Sequence, residues 1–461
     1  MHVIDTINNV FWGYFLIVAL LGCAVWFTIR TKGVQFRMVR EMLHLAVESN
    51  SGNEEGKHIS SFQAFMVSMA SRVGTGNLAG VASAISIGGP GAVFWMWATA
   101  LLGSATAFVE CTLAQLFKVR SKDSYIGGPA YYMQYGLGKR WMAVLMSVLL
   151  IVSFAFSNNS VQSNTLCSAM REAFGIPTWL MGAILVAMAG LVIFGGIGRI
   201  AKASSVIVPL MAFIYIAVAL IVVIANIKML PSAIVLIFKS AFGWKQAAGG
   251  FFGAAVMLGI KRGLFSNEAG EGSTPNAAAT ANVSHPVKQG LVQSLGVFID
   301  TLVICSCTAF IILCSGVDIH SGLDGVNLTQ AAISSTIGPS GKVIVAVVLF
   351  FFVFSTILGN YYYGEANIRY ITSNKKWLTV LRIGSLAMVM FGSLTAISTV
   401  WALIDICMAL LTTCNLVALV LLGKWAIRLL EDYRRQKKEG KDPVFHKSQL
   451  KEISDKISCW D

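Results

Sequence analysis

A glycine-rich stretch at residues 72–77, RVGTGN, lies in the middle of an apolar run from about residue 62 to residue 87. The run is long enough to cross a lipid bilayer, which requires about 20 residues. Glycines on both sides of a threonine weaken a helix at this point, and non-helical backbone at membrane depth must be buried in protein or line a cavity. The stretch therefore predicts either a broken helix of the kind that forms transport sites or a packing face for a neighbouring helix.

The composition is typical of a membrane protein with several spans. Of the 461 residues, 56% are hydrophobic and only 12% are charged, and the mean hydropathy is +0.70. The net charge of +13 could indicate nucleic-acid binding, but the basic residues lie mostly between apolar runs or in the C-terminal tail. Because that pattern sets the orientation of a membrane protein, we expect a lipid bilayer as a partner and no nucleic acid.

Neither the cysteines nor the N-terminal region indicates a secreted protein. None of the nine cysteines belongs to a CxxC pair, and eight fall in or at the ends of apolar runs. We interpret them as small buried side chains, with no disulfide framework and no metal site. The apolar run at 10–29 follows no basic residue, unlike a signal peptide, so we predict a retained helix.

The apolar runs predict eleven membrane spans. They cover residues 10–29, 62–87, 92–117, 141–169, 178–195, 204–227, 247–272, 290–314, 343–371, 377–393 and 400–422. Without the first span, ten remain, and the first and sixth of these are interrupted by glycine and polar residues. Five plus five spans with a break at the start of each half indicate an inverted repeat, as in secondary transporters. A passive channel or an intramembrane enzyme is the alternative.

This organisation divides the chain into five parts. They are an N-terminal helix and cytoplasmic loop at 1–59, a first five-helix repeat at 60–227, an extracellular loop at 228–245, a second repeat at 246–422 and a cytoplasmic tail at 423–461. The loops placed outside hold only Arg171, Lys228, Lys239, Lys245 and Lys342, whereas the other loops and the tail hold most of the basic residues. This bias predicts the N-terminus outside and the C-terminus inside.

The second interrupted run carries charges at membrane depth. They are Lys261, Arg262, Glu268 and Glu271. Charges there are costly and are usually paired or functional, so we expect the two cations to pair with these glutamates or with Glu110, as a gate or a packing network. We also expect unwound backbone around residues 265–267, with N–H groups for a carboxylate and carbonyls for a sodium ion. Phe265 either covers a small substrate or packs.

Polar side chains in two other spans are candidate ligands. Gln162 lies in the dense polar patch at 157–164, where it serves either a cavity or contact between helices. Ser355 and Thr356 offer hydroxyl oxygens to a cation, unless they bond to their own helix. Thr356 and Asn360 are four residues apart and share a helix face.

The first break adds further polar groups. Thr75 and Asn77 lie inside it and could supply more oxygens to the same cation.

The sequence lacks the motifs of hydrolytic enzymes. All six histidines lie in loops or tails, and HExxH, GxSxG and phosphate-loop patterns are missing. Asp300 and Asp405 are isolated acids, so an enzyme would lack paired acid–base residues. Neither break carries a clearly placed lone acid, which favours sodium over the proton as the coupling ion, while Glu268 and Glu271 keep proton coupling as an alternative.

Several long motifs resemble the alanine or glycine:cation symporter family. Residues 88–97, GGPGAVFWMW, resemble its signature, and residues 72–79, 261–275, 285–300 and 354–365 resemble the same family. The resemblance covers most of residues 60–419. It implies an all-α, LeuT-type membrane protein with an extra N-terminal helix that takes up small neutral amino acids with sodium or protons. It also implies a bacterial cytoplasmic (inner) membrane protein that is not an enzyme, and we expect a monomer.

The resemblance also implies a site. The substrate residues are expected at Thr75, Gly76, Gln162, Phe265, Thr356 and Asn360, with Ser266 added from the second interruption. The sodium ligands are expected from the backbone and hydroxyls at Val73, Gly74, Asn77, Ser355 and Thr356. The substrate would lie near the bilayer midplane between the two breaks, and the ion would favour the state that holds it.

One position departs from the family pattern. We expect tryptophan in family members where this chain has Asn360. Asparagine leaves more volume and adds a donor and an acceptor. We therefore predict a wider or more polar specificity than alanine and glycine alone, with glutamine, serine or asparagine accepted.

Overall fold

The computed structural model describes residues 8, 11–48, 59–121, 124–242, 251–323 and 325–460. The predicted outer charge Lys245 and the first residues of the span predicted at 247–272 lie outside these ranges.

Helices make up most of the described structure. Their bounds are Phe11–Phe15, Leu16–Arg30, Val34–Arg37, Val39–Glu48, Ser61–Arg72, Gly76–Gly88, Gly91–Leu116, Pro129–Tyr131, Tyr132–Gly136, Arg140–Phe174, Thr178–Ile193, Ile197–Ala225, Ile227–Met229, Leu230–Ala241, Phe251–Asn267, Pro275–Ala278, Pro286–Cys314, Gly325–Ile337, Ser340–Ile371, Lys375–Leu394, Ile397–Lys438, Lys447–Gln449 and Lys451–Lys456. Two short strands, Val119–Ser121 and Ser124–Ile126, pair antiparallel in the loop after Gly91–Leu116.

Seven of the described helices are long and apolar enough to cross a membrane. They are Gly91–Leu116, Arg140–Phe174, Ile197–Ala225, Pro286–Cys314, Ser340–Ile371, Lys375–Leu394 and Ile397–Lys438. Leu16–Arg30, Gly76–Gly88 and Thr178–Ile193 are shorter apolar helices. Each predicted span overlaps one of the described helices or a broken pair of them, whereas the number of crossings, eleven, stays a prediction.

One helix lies between two of the predicted spans. The segment after Cys314, rich in glycine, serine and aspartate, contains the helix Gly325–Ile337. Its apolar residues Val326, Leu328 and Ile333 are buried. Because burial of this face stabilises the helix, tertiary packing outweighs the weak local propensity of the glycine and serine residues.

Two broken helices lie against each other at the centre of the fold. The first consists of Ser61–Arg72 and Gly76–Gly88, and its start is fixed by a capping box at Ser60. The second consists of Phe251–Asn267 and Pro275–Ala278. Gly76–Gly88 packs directly against Phe251–Asn267. The first break, predicted from the glycines, is therefore present in the structure.

The two broken helices approach closely because the first presents glycines to the second. A Cβ atom added at Gly76 would lie 3.1 Å from the ring of Phe265 and 3.2 Å from Cα of Ser266. One helical turn further on, a Cβ at Gly80 would lie 4.0 Å from Cδ of Arg262. Gly76 thus sets the close approach of the helices, whereas a Cβ at Gly80 would make only ordinary van der Waals contact.

The C-terminal tail folds back onto the ends of the helices. Asp442 pairs with Lys288 at 2.6 Å, and the indole of Trp460 donates to the carbonyl of Gln115 at 3.0 Å. Lys118 lies over the Trp460 ring, and burial lowers the pKa of this lysine to about 7. The tail is therefore a packed part of the molecule.

Candidate functional site

The first break exposes backbone groups that two side chains from other helices satisfy. Val73 leaves the helix with φ −80° and ψ 91°, and its carbonyl lies 3.1 Å from the hydroxyl of Thr356. The amide N–H of Thr75 donates to Oε1 of Gln162 at 3.0 Å. Side chains from Arg140–Phe174 and Ser340–Ile371 therefore take the place of the missing helical hydrogen bonds.

Gly74 is at the point of closest approach. A Cβ atom on this residue would lie 2.5 Å from Oγ1 of Thr356 and 2.9 Å from Oε1 of Gln162. Any other residue would push these two polar atoms away from the break. The structure thus brings together five predicted substrate residues, which are Thr75, Gly76, Gln162, Phe265 and Thr356, with Ser266 beside them.

A second polar cluster lies on another side of the first broken helix. Nδ2 of Asn77 donates to Oδ1 of Asp300 at 2.7 Å and lies 2.9 Å from Oγ of Ser266. Ser266 and Thr301 donate to Oδ2 of Asp300 at 2.7 and 3.0 Å, and the thiol of Cys305 is 3.2 Å from Ser266. All of these residues are buried. Asp300 therefore places a carboxylate held by neutral donors between the two broken helices.

Asp300 corrects one expectation. No lone acid was expected at the breaks, but this carboxylate accepts hydrogen bonds from side chains of both broken helices, so the absence of an acid no longer favours sodium over the proton. The contacts of Asp300 join three separate elements, which no local pattern reveals. The signal available in the sequence was its position inside an apolar span, where a charge is costly and usually functional.

The predicted sodium ligands fall into two groups. Asn77 directs its amide to the Asp300 cluster, and its Oδ1 accepts from the N–H of Gly74 at 2.8 Å. Val73, Gly74 and Thr356 lie together on the other side of the break.

Both predicted hydroxyl ligands bond to their own helix, as the alternative interpretation predicted. The hydroxyl of Ser355 donates to the carbonyl of Phe352 at 2.9 Å, and the hydroxyl of Thr356 lies 2.8 Å from the same carbonyl as well as 3.1 Å from that of Val73.

Asn360 uses both of its polar groups within the protein. Its Nδ2 donates to Oδ1 of Asn159 at 3.0 Å. Its Oδ1 lies 2.7 Å from the hydroxyl of Ser71, which also lies 2.6 Å from Oε1 of Glu268 and donates to one of these two oxygens. Asn360 is one turn beyond Thr356 and faces the helix Ser61–Arg72 just before the break. These contacts use one of the two N–H groups and one of the two oxygen lone pairs of this amide.

The second break lies further along the chain than predicted. The helix continues through Asn267, and the N–H of Glu268 still donates to the carbonyl of Leu264 at 2.8 Å. Free N–H groups near Phe265 are therefore absent, and the expectation that they bind a carboxylate is wrong. The end of a helix exposes carbonyls instead. Glu268 adopts φ +59°, which turns the chain out of the helix.

Buried carboxylates hold the second break. Glu110 accepts hydrogen bonds from the N–H groups of Gly270 and Gly272, both at 3.1 Å, and from Asn415 at 2.9 Å. Glu268 accepts hydrogen bonds from the hydroxyls of Ser273 and Thr274, at 2.6 and 3.1 Å, and lies 2.6 Å from the hydroxyl of Ser71 in the first broken helix. These glutamates are thus used to stabilise unwound backbone.

The pairing expected for the buried cations is also wrong. Lys261 and Arg262 both pair with Asp405, at 2.6 and 3.1 Å, and not with a glutamate. They precede the end of the helix by more than one turn, whereas Glu268 and Glu271 follow it, so the two sets lie at different depths.

Comparison with known proteins now assigns the family. The sodium:alanine symporter family matches residues 1–447. The chain belongs to this family. It is 51% identical over 459 residues to a Bacillus subtilis (strain 168) protein named probable sodium/glutamine symporter GlnT, covering 100% of this chain and 96% of that relative. It is 46% identical over 458 residues to YrbD of the same organism, which is named putative sodium/proton-dependent alanine carrier protein. This match covers 96% of this chain and 94% of that relative.

Family membership confirms the resemblance found in the sequence. It places the chain among multi-pass sodium/amino-acid symporters, which are transporters and not enzymes. The structure of MhsT in complex with L-phenylalanine matches with a TM-score of 0.55 at 16% identity, over 87% of this chain and 93% of that one. This similarity confirms the LeuT-like fold, whereas the five-plus-five inverted repeat stays a prediction.

Replacing Gly74 by alanine should reduce transport about tenfold or more while the protein still reaches the membrane. The added methyl group would displace the hydroxyl of Thr356 and the amide of Gln162 from the break. The measurement is initial uptake rate per amount of membrane-inserted protein. Gly198→Ala is the matched control, because a Cβ there has nothing within 4 Å. Normal uptake by Gly74→Ala would contradict a site at this break.

Proposed function

We propose that this chain takes up a small neutral amino acid together with sodium by alternating access. Alanine, glycine and serine are the expected substrates, and Asn360 extends the range to a larger polar one such as glutamine. The observation that carries the proposal is the unwound backbone at Val73–Thr75, which faces the Thr356 hydroxyl and the Gln162 amide beside the Asp300 carboxylate. The names of the family and of GlnT support this choice of substrates.

The substrate would bind by exchanging hydrogen bonds at the first break. Its carboxylate would take the N–H groups at Thr75 and Gly76, and Oε1 of Gln162, released from Thr75, would accept from the ammonium group. Among the described residues, the buried Thr75 hydroxyl has no hydrogen-bond partner, which leaves a donor for the ligand. Phe265, in contact with Gly76, would cover the bound molecule.

Sodium would bind where oxygen atoms already converge. The carbonyl of Val73 and the hydroxyl of Thr356 are 3.1 Å apart, and rotation of Ser355 away from its own helix would add another oxygen. Asp300, linked to the same break through Asn77, supplies negative charge that favours a cation nearby. Since ion and substrate would share the unwound segment, binding of one would raise the affinity for the other.

The name of YrbD supports a second candidate function, in which protons take part in coupling.

For either ion, we propose a monomer in a bacterial cytoplasmic membrane, with the N-terminus outside and the C-terminus inside. We also propose the division of the chain into an N-terminal helix and loop at 1–59, repeats at 60–227 and 246–422, an extracellular loop at 228–245 and a cytoplasmic tail at 423–461.

Reconstitution into liposomes tests the proposed function. With an inward sodium gradient, radiolabelled alanine, glycine and glutamine should accumulate above the external concentration and saturate. Replacement of sodium by potassium should abolish accumulation. Accumulation driven by a proton gradient alone would favour the proton alternative. Equilibration without accumulation under every gradient would overturn symport.

Thr356→Val should raise the sodium concentration for half-maximal uptake about tenfold, because a hydroxyl ligand is lost while the shape is kept. Thr356→Ser keeps the hydroxyl and should stay within about twofold of wild type. Sodium titrations of uptake at a fixed amino-acid concentration measure both values. Equal effects of the two variants would show that the hydroxyl is not a ligand.

Asn360→Trp should narrow the range of substrates, because a bulky ring reduces the space next to Thr356. Competition of labelled alanine uptake by the twenty amino acids measures this range before and after substitution. In the wild type, glutamine should inhibit the uptake of labelled alanine. In the variant, glutamine should no longer inhibit this uptake, whereas glycine should still do so. Strict selectivity of the wild type for alanine and glycine would contradict the role assigned to Asn360.

A further inference from the structure

A buried group of three charges lies next to the candidate site. Oδ2 of Asp405 is 2.6 Å from Nζ of Lys261, and Oδ1 is 3.1 Å from NH1 of Arg262. Relative exposures are 8% for Lys261, 7% for Arg262 and 4% for Asp405. We name these residues the charge cluster.

Within the described part of the chain, one carboxylate faces these two cations, so the charge cluster carries one positive charge in excess. Such an excess is costly in a buried place unless other groups compensate for it. The ring of Trp401 lies 3.9 Å from the Arg262 guanidinium carbon, and the ring of Trp12 lies 5.4 Å from Nζ of Lys261. These aromatic faces offset only part of the charge. Nε of Arg262 is buried without a partner in the described part of the chain. The cluster is therefore suited to a second anionic group.

The charge cluster is one helical turn from the candidate site. Arg262 precedes Ser266 by four residues, so both lie on one face of Phe251–Asn267. The ring of Trp401 contacts Arg262 on one side, and its centroid is 4.9 Å from that of Phe265. Phe265 and Trp401 thus separate the cluster from the break at Gly76.

We propose that the charge cluster is a second binding site, which receives the carboxylate of the amino acid before the molecule reaches the first break. This proposal rests on the proposed function. Lys261 and Arg262 turn their free donors to the incoming carboxylate, and Asp405 competes for the same cations. When the substrate moves past Phe265 and Trp401, Lys261 and Arg262 pair with Asp405 again, and Asp405 neutralises most of their positive charge.

The N-terminal helical segment positions the competing carboxylate. The indole of Trp12 donates to the carbonyl of Asp405 at 3.0 Å, and Nδ2 of Asn8 donates to the carbonyl of Ala402 at 3.2 Å. These bonds fix the backbone that carries Asp405. The segment outside the two predicted repeats therefore has a defined part in the proposed site.

Lys261→Gln tests the second site, because it removes the excess charge and leaves the pair between Arg262 and Asp405. The KM for amino-acid uptake should rise about threefold to tenfold, with the maximal rate within about twofold of wild type. Lys261→Arg keeps the charge and should change KM less than about twofold. Lys342→Gln, in an exposed pair with Glu172, is the control for loss of one positive charge. If Lys261→Gln does not reach the membrane, Lys261→Met replaces it.

An unchanged KM in Lys261→Gln, or a loss of maximal rate alone, would overturn the second site. An equal rise in KM for Lys261→Arg would also overturn it, since packing and not charge would then be responsible. Uptake is repeated with chloride replaced by methanesulfonate. A chloride requirement of the wild type that Lys261→Gln removes would assign the cluster to an inorganic anion and overturn the proposal. Absence of sodium-driven uptake by the wild type would instead defeat the proposed function.

Discussion

Backbone that leaves its helix at membrane depth must find hydrogen-bond partners inside the protein, and this requirement organises the centre of the fold. At the first break, Thr356, Gln162 and Asn77 satisfy the backbone. At the second, the carboxylate of Glu110 takes the N–H groups of Gly270 and Gly272. The helices that carry these side chains are consequently held around the two interruptions.

The side chains that bond to the unwound backbone differ between the two breaks, and so does the ease with which a ligand can replace them. Displacing Glu110 would leave three buried donors without a partner at once, at about 1–3 kcal/mol for each group. The second break, bonded to Glu110, is therefore a rigid support. Neutral amide and hydroxyl partners exchange at lower cost, about 1–3 kcal/mol for each buried group left unpaired. The first break, bonded to Gln162 and Thr356, is thus the one whose partners a ligand can replace.

The sequence predicted what depends on local properties. The glycines at 74 and 76 located the first break, and the family resemblance placed Thr356 and Gln162 near it. It did not predict contacts between distant residues. Asp405 lies 143 residues from Arg262 along the chain, so nothing local revealed their pairing. The predicted position of the second break was wrong by a few residues. The break begins at Glu268, which adopts a left-handed conformation that a non-glycine residue rarely adopts.

The helix Phe251–Asn267 connects two regions of opposite charge along one face. Arg262 faces the positive charge cluster, and Ser266, four residues later, donates to the carboxylate of Asp300. Over this single turn of about 5.4 Å the local charge changes sign. Burial weakens solvent screening, so the resulting field is stronger than at a surface. An amino acid in the proposed second site would therefore have its carboxylate toward Arg262 and its cationic end toward Asp300, before the carboxylate passes on to the N–H groups of Thr75 and Gly76.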